Sequence, residues 1–369
     1  MIRLGLIGLG KMGISHLAIA NSHPGVELAA VCDTNSYIAS TLNKYTGIKV
    51  STDYRKLLAE GNLDAVIIAT PPRFHGEMVR AALEHNLHVF CEKPFCMNPD
   101  EGAELAAMAQ KRQLTNQVGY HCRFVGAFRE AKRLVVSGAL GQIHHVRAEA
   151  YGPVVLRPKG SSWRVQKSEG GGCLQDYACH AIDLMTYILG TPGRVSGTIL
   201  NRIFSQDVED EAYTTLYFPD GVTGQLSSNW SDQSYRKMST KITVWGTNGR
   251  LTADRQEVQL FLRSNISGDP ALKEGWNTLY ATALADEVWY YLRGEEYSAQ
   301  IDHFVECAER KQTETISSFA SAVATDQVVS MMLQDSGATT KTAMQRRPSL
   351  ERTIPRRNGI FRRMKALLV

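Results

Sequence analysis

The 369-residue sequence has no apolar run near the roughly 18 residues needed to cross a bilayer, no Cys-x-x-Cys pair and no low-complexity block. Those absences exclude a membrane-spanning helix, a zinc knuckle and a disordered scaffold. Its seven cysteines (Cys32, Cys91, Cys96, Cys122, Cys173, Cys179, Cys307) are scattered and odd in number, so no disulfide framework is indicated and reduced, mostly buried thiols are expected. A large charge excess is missing too, with a net charge of +4. From Lys341 onward nine basic residues meet a single Glu, so the body is slightly acidic and only the tail is basic. No targeting segment is evident: Met1 to Ile7 already read as a buried strand, which predicts a cytoplasmic protein. What is present, 43% hydrophobic and 21% charged residues, suits an ordinary globular chain of about two domains.

The first third alternates short apolar runs with helical patterns. Arg3 to Gly8, Val26 to Asp33, Asp64 to Thr70, Leu87 to Glu92 and Asn116 to Tyr120 are Val/Ile/Leu-rich runs of strand length, separated by apolar residues at helical spacing. That rhythm predicts an α/β domain over 1–122 with a parallel sheet covered on both faces. After Cys122 the pattern changes. Helices are expected over Phe124 to Ser137, as a long helix after the glycine cluster within Ser168 to Leu189 that Gly190 and Pro192 end, and near Ala299 to Lys311 and Ser318 to Gln334, around long alternating runs between Val195 and Phe261 with turns at Pro219-Asp220-Gly221 and Thr247-Asn248-Gly249. An α+β domain over 123–336 with an antiparallel meander follows. Gly337 to Thr342 reads as a linker to a basic tail, 337–369.

Gly8-Leu9-Gly10-Lys11-Met12-Gly13 follows the first strand and opens a helix, and Asp33 stands 20 residues beyond Gly13 at the end of the second strand. This is the context of a dinucleotide-binding Rossmann turn: Gly8 allows the tight turn, Gly10 lets backbone approach a pyrophosphate, and Gly13 lets helix and strand pack closely. Asp33 should accept from the adenosine ribose hydroxyls and repel a 2′-phosphate, and no arginine in Thr34-Asn35-Ser36 compensates, so NAD is expected over NADP. Thr70-Pro71-Pro72 and Glu92-Lys93-Pro94 end two further strands, where a doubly wound sheet binds its ligand, and they are expected beside the nicotinamide half; His75, just after the first turn, is expected to contact the cofactor or the helix N-terminus.

These residues resemble a known family. Gly8 to Gly13, Ala69-Thr70-Pro71-Pro72 with His75, Glu92-Lys93-Pro94, Tyr120 with Arg123-Phe124, Trp163-Arg164, Gly170-Gly171-Gly172 and Asp176-Tyr177-Ala178-Cys179-His180 with Asp183 are similar, in order and spacing, to the Gfo/Idh/MocA family, the glucose–fructose oxidoreductase and inositol dehydrogenase group. The resemblance covers roughly residues 1 to 335; the tail has no counterpart in it. It implies a Rossmann domain, then a domain whose large open, predominantly antiparallel sheet often makes the interface of a homodimer or homotetramer. It also implies NAD(P)-dependent chemistry at a secondary hydroxyl of a sugar, inositol or sugar derivative, carried by Lys93, Asp176 and His180.

Oxidising a secondary alcohol removes a hydride and a proton, so the site needs a base near neutrality and positive charge where the oxygen becomes alkoxide-like. His180 fits the first task and Lys93 the second. Asp176, four residues before His180, and Asp183, three after it, fall on one face of an ideal helix. Asp176 is expected to contact substrate first, or else to hold the imidazole's tautomer; Asp183 is expected to support the ring from its other side. The glycines at 170–172 would let backbone approach a sugar or the nicotinamide. Tyr120, Arg123, Trp163 and Arg164 are candidates for lining the substrate pocket, with packing between domains as the alternative. No metal is expected, since Cys173, Cys179 and His180 lack a ligand spacing and a fourth member.

Three readings compete with a free-sugar dehydrogenase: oxidation at C3 of a nucleotide-linked sugar for polysaccharide synthesis, a regulator that keeps the fold and senses NAD without catalysis, and a redox-neutral enzyme using NAD transiently. Intact Lys93, Asp176 and His180 argue against the regulator. The tail, with Arg346-Arg347, Arg356-Arg357 and Arg362-Arg363-Met364-Lys365, is either a solvated segment or a weak contact for an anionic membrane or acidic partner; nucleic acid is not expected from an acidic body.

Overall fold

A computed structural model describes residues 1–156, 163–266 and 269–339, and the basic tail lies outside the described residues. Six parallel strands form the first sheet: β1 (Ile2–Ile7), β2 (Val26–Cys32), β3 (Lys49–Ser51), β4 (Ala65–Ile68), β5 (His88–Cys91) and β6 (Asn116–Val118), in the order β3-β2-β1-β4-β5-β6. Strand β3 is an addition to the expected set, because its three residues are too short to register as a hydrophobic run. The chain order reverses at β1 and β4, so their carboxyl ends flank the crevice where a doubly wound sheet takes its ligand.

The second sheet has eight strands: β7 (Ile143–Tyr151), β8 (Arg194–Asn201), β9 (Glu211–Tyr217), β10 (Thr223–Asn229), β11 (Ser239–Gly246), β12 (Gly249–Ala253), β13 (Glu257–Leu262) and β14 (Gly275–Tyr280). All its pairings are antiparallel except β7 with β10. Every second residue is buried along β9, β10 and β13, so one face is the core and the other is more open. Helices Gly126–Val136 and Cys179–Leu189 supply Phe128, Leu134, Ile182 and Met185 to that core.

The long helix Phe319–Thr339 joins the two cores. Phe319, Ala322 and Val323 pack with the first sheet, while Val328, Val329 and Met332 pack with the second. It runs past Gly337 to Thr339, which corrects the linker expected from Gly337. A glycine costs about 1 kcal/mol in a helix; packing against β8 and the bond from the Thr198 amide to Asp335 Oδ2, 2.6 Å, hold the helix through that point. All seven cysteines are free and buried. Among the described residues, no helix is long and apolar enough to cross a membrane.

Candidate active site

The glycine turn shows its constraints atom by atom. A methyl at Gly13 would stand 1.8 Å from the Gly8 carbonyl oxygen, and one at Gly8, whose φ is +95°, would stand 2.7 Å from that of Ala69. Only glycine fits either place. Beside Gly10 there is open space instead. Asn35, Asp53 and Asn98 cap the helices that follow them with their side chains, whereas the helix Lys11–Ser22 starts at Gly10 with no side-chain cap. An uncapped helix end beside an open glycine suits a pyrophosphate. Leu9 is buried, Lys11 is exposed and Met12 packs on the core. Asp33 Oδ2 accepts from the Leu9 amide at 2.6 Å and Oδ1 from that of Asn35 at 2.8 Å, which fixes the carboxylate at the crevice.

His75 is a correction to the expectation of a cofactor contact. Its ring is wholly buried between two backbone carbonyls, Nδ1 lying 2.8 Å from the oxygen of Pro94 and Nε2 3.0 Å from that of Thr70. Burial pushes its pKa down despite both carbonyls, so the ring is neutral and donates to one of them. It ties the Thr70-Pro71-Pro72 turn to the Lys93-Pro94 turn, whose peptide bond is cis. Glu92 faces inward as well: Oε1 meets His16 Nε2 at 2.6 Å and Oε2 accepts from the Lys93 amide at 3.2 Å. Burial alone would raise the Glu92 pKa, yet His16, Lys93 and His121 hold it below the ordinary carboxylate value. His16 was not foreseen; its only signal was a histidine on the buried side of the helix behind the glycine turn.

Lys93 projects from the end of β5 onto the start of the helix that carries His180. Its ammonium donates to the Asp176 carbonyl at 2.7 Å and to Asp176 Oδ1 at 3.1 Å, and Arg164 Nε donates to Asp176 Oδ2 at 2.8 Å. Burial would lower the Lys93 pKa, but Asp176 outweighs it and raises it; Asp176 in turn, despite burial, is held low by Lys93 and Arg164. Both groups are therefore charged. Asp176 does not lie on one straight helical face with His180: Leu174–Ala178 form a π-helical turn, and the regular helix starts at Cys179. Such turns re-aim side chains locally, which an ideal helical spacing leaves out.

His180 is 2% exposed and its Nδ1 has no partner. Burial, then the positive charges of Lys93, Arg255 and Arg164 and the neighbouring His121, pushes its pKa well down, so the ring is neutral at ordinary pH. His121 packs against it at 4.8 Å between centroids and stacks on Tyr297 at the same distance.

The expected roles of Asp183, Arg123 and Tyr120 need correction. Asp183 leaves the His180 ring alone and takes the Arg123 guanidinium in a fork, with Nη2 to Oδ1 at 2.7 Å and Nε to Oδ2 at 3.0 Å. Arg123 also donates through Nη1 to the Ile316 carbonyl at 2.8 Å, so it locks helices together and offers little to a substrate. Tyr120 is wholly buried, edge-on to His180 at 6.0 Å, and therefore shapes the surroundings of that ring. Trp163 stacks under the Arg164 guanidinium, 4.8 Å from ring centre to Cζ, next to Asp176. The glycines at 170–172 make room for protein: added methyls would strike Met97 Sδ at 170, the Arg164 carbonyl at 171 and the Glu209 carboxylate at 172.

Comparison with known proteins adds an independent line. The family model described as "Oxidoreductase family, NAD-binding Rossmann fold" matches residues 2–120, and that of the Gfo/Idh/MocA C-terminal domain matches 128–252. A scyllo-inositol 2-dehydrogenase (NAD(+)) of Bacillus subtilis (strain 168) is 27% identical over 322 residues, covering 85% of this chain and 87% of the relative. A D-glucoside 3-dehydrogenase of Escherichia coli (strain K12) is 31% identical over 242 residues, 60% of this chain and 68% of the relative. A solved levoglucosan dehydrogenase in complex with NADH and levoglucosan superposes with a TM-score of 0.79 at 22% identity, over 91% of this chain and 97% of the other.

Proposed function

The chain belongs to the Gfo/Idh/MocA family of NAD-binding oxidoreductases, and from that premise we propose that it is an NAD-dependent dehydrogenase of a secondary hydroxyl on a cyclic polyol or sugar. Gly8 to Gly13, Asp33, the Thr70-Pro71-Pro72 turn and the Glu92-Lys93 turn would hold NAD, which would supply the hydride acceptor. The chain's own residues manage the proton and the oxygen. His180, neutral at ordinary pH, accepts the hydroxyl proton. Lys93, charged, lies where negative charge grows on the carbinol oxygen and favours the alkoxide-like state. Asp176 orients the ammonium and has lone pairs left to accept from a neighbouring substrate hydroxyl.

What supports this reading most is the contrast in charge state: an ammonium held by Asp176 within electrostatic reach of a neutral imidazole whose Nδ1 has no partner. The names of the relatives, an inositol dehydrogenase and a glucoside 3-dehydrogenase, point to ring hydroxyls as the substrate class. The test is a panel of inositols, aldoses, glycosides and UDP-sugars with NAD, followed by the absorbance of reduced nicotinamide. Turnover of a free polyol or glycoside supports the proposal. Turnover confined to UDP-sugars moves the substrate to nucleotide-linked sugars, and bound NAD with no turnover of any member contradicts a dehydrogenase of this class.

A further inference from the structure

Away from the strand ends, a groove of about 520 Å³ is lined by Arg123, Lys132, Tyr187, Thr191, Ile316 and Ser321 together with four small residues, none of them acidic. Two cations share one aromatic ring there. Lys132 Nζ stands 3.7 Å from the Tyr187 ring centre, and the Arg123 guanidinium carbon 5.0 Å from it. Their charges are not balanced alike. Arg123 is forked onto Asp183, whereas Lys132, among the described residues, has no carboxylate within ion-pair distance and is half-buried. Burial and then Arg123 press the Lys132 pKa down, the sign of an ammonium lacking a counter-charge.

We propose that this groove binds a small organic oxyanion, a carboxylate or phosphate monoester, with Lys132 as its charge partner and the Thr191 hydroxyl beside it, and that occupancy is felt at the catalytic helix. An anion at Lys132 supplies the missing counter-charge, and the Tyr187, Ile316 and alanine walls accommodate a short carbon skeleton. The route to the site is short. Arg123 forms one wall of the groove and grips Asp183, three residues after His180, and Tyr187 lies on the same helix. An anion that draws Lys132 off the Tyr187 ring therefore loads the helix that carries His180, with the Arg123 fork left intact.

The experiment is thermal unfolding of the full chain saturated with NAD, so that the glycine turn is filled, in inorganic phosphate or in malonate at constant ionic strength. The expected result is a saturable rise in wild-type Tm of a few degrees, lost in Lys132→Met and kept in Lys132→Arg. In parallel, kcat of the wild type changes over the same anion range and that of Lys132→Met does not. A response to phosphate alone assigns a phosphate ester, and one to malonate alone a carboxylate. A rise that sodium chloride reproduces, or that survives in Lys132→Met, overturns the site; a Lys132-dependent rise with wild-type kcat unmoved overturns the coupling. Should Lys132→Met fail to fold, Ala324→Trp fills the groove with Lys132 in place and must abolish the same shift. Because the Tm readout needs no turnover, its failure is separable from failure of the hydride-transfer reading.

Discussion

Two buried cation–carboxylate pairs lie on or against one stretch of chain, and they differ in how much of each is left to share. Lys93 meets Asp176 through one ammonium, with the lysine side chain 12% exposed and Arg164 sharing the carboxylate. Arg123 meets Asp183 through a fork, with side chains 4% and 0% exposed. A point charge with spare donors and a little exposure can be shared with a substrate oxygen; a saturated fork in the core cannot. The lesson is that burial and charge alone do not mark an active site. What sets the Lys93 pair apart is its unfilled hydrogen-bonding capacity and the neutral His180 ring nearby.

The sharpest way to break the contrast is at His180, the proposed base. His180→Asn is expected to lower kcat by roughly 10³- to 10⁴-fold with NAD affinity unchanged, measured by steady-state turnover and fluorescence titration of the cofactor. Next comes the sealed pair. Asp183→Ala strands the Arg123 charge, so it should cost about 3–5 kcal/mol in urea unfolding, and Arg123→Met should add little more to it in a double-mutant cycle. Asp176→Asn sharpens the comparison from the other side: a loss of roughly 10²-fold in kcat with a much smaller loss of stability, since Arg164 and Lys93 keep some access to solvent.

Acid gives a fourth test. Burial, followed by Arg255, Lys93 and Arg293, pushes the His121 pKa down to about 3 from 6.5. The unfolded ring therefore binds protons that the folded ring refuses, and this ring's contribution is steady above pH 6.5 and falls with acid from there to about pH 3. At pH 5 the loss is about 2 kcal/mol, so urea unfolding of a His121→Gln variant should fall by that much less than the wild type between pH 7 and pH 5. The smallest effect is expected at the ribose end. Asp33→Ala should weaken NAD by roughly tenfold and narrow its advantage over NADP, because the carboxylate's hydrogen bonds and its repulsion of a 2′-phosphate go together.

How far the sequence speaks follows the distance between partners. The turn from Gly8 to Gly13 with Asp33 is a local device whose steric logic is contained in one strand, one turn and one helix, so it is legible at sight. The alternating runs of β9 to β13 are legible for the same reason. Lys93, Asp176 and His180 stand out only through their motifs. Illegible were the long-range partnerships: His16 on Glu92, Arg123 on Asp183, and His75 between the carbonyls of Thr70 and Pro94. Each satisfies a buried polar group with an atom from elsewhere in the fold, and no spacing encodes that choice. The π-helical turn at Asp176 belongs with them, since helical periodicity alone gives no sign of an extra residue.

The proposed proton transfer requires a neutral His180 beside a charged Lys93. Histidine-selective ¹⁵N NMR of the NAD-bound chain, with His180→Asn used to assign the resonance, reads this directly. A His180 ring that is still neutral at pH 6.5 and becomes protonated only under more acid conditions is the predicted result. A His180 imidazolium at pH 6.5 or above would contradict the base assigned here and shift proton acceptance to another group.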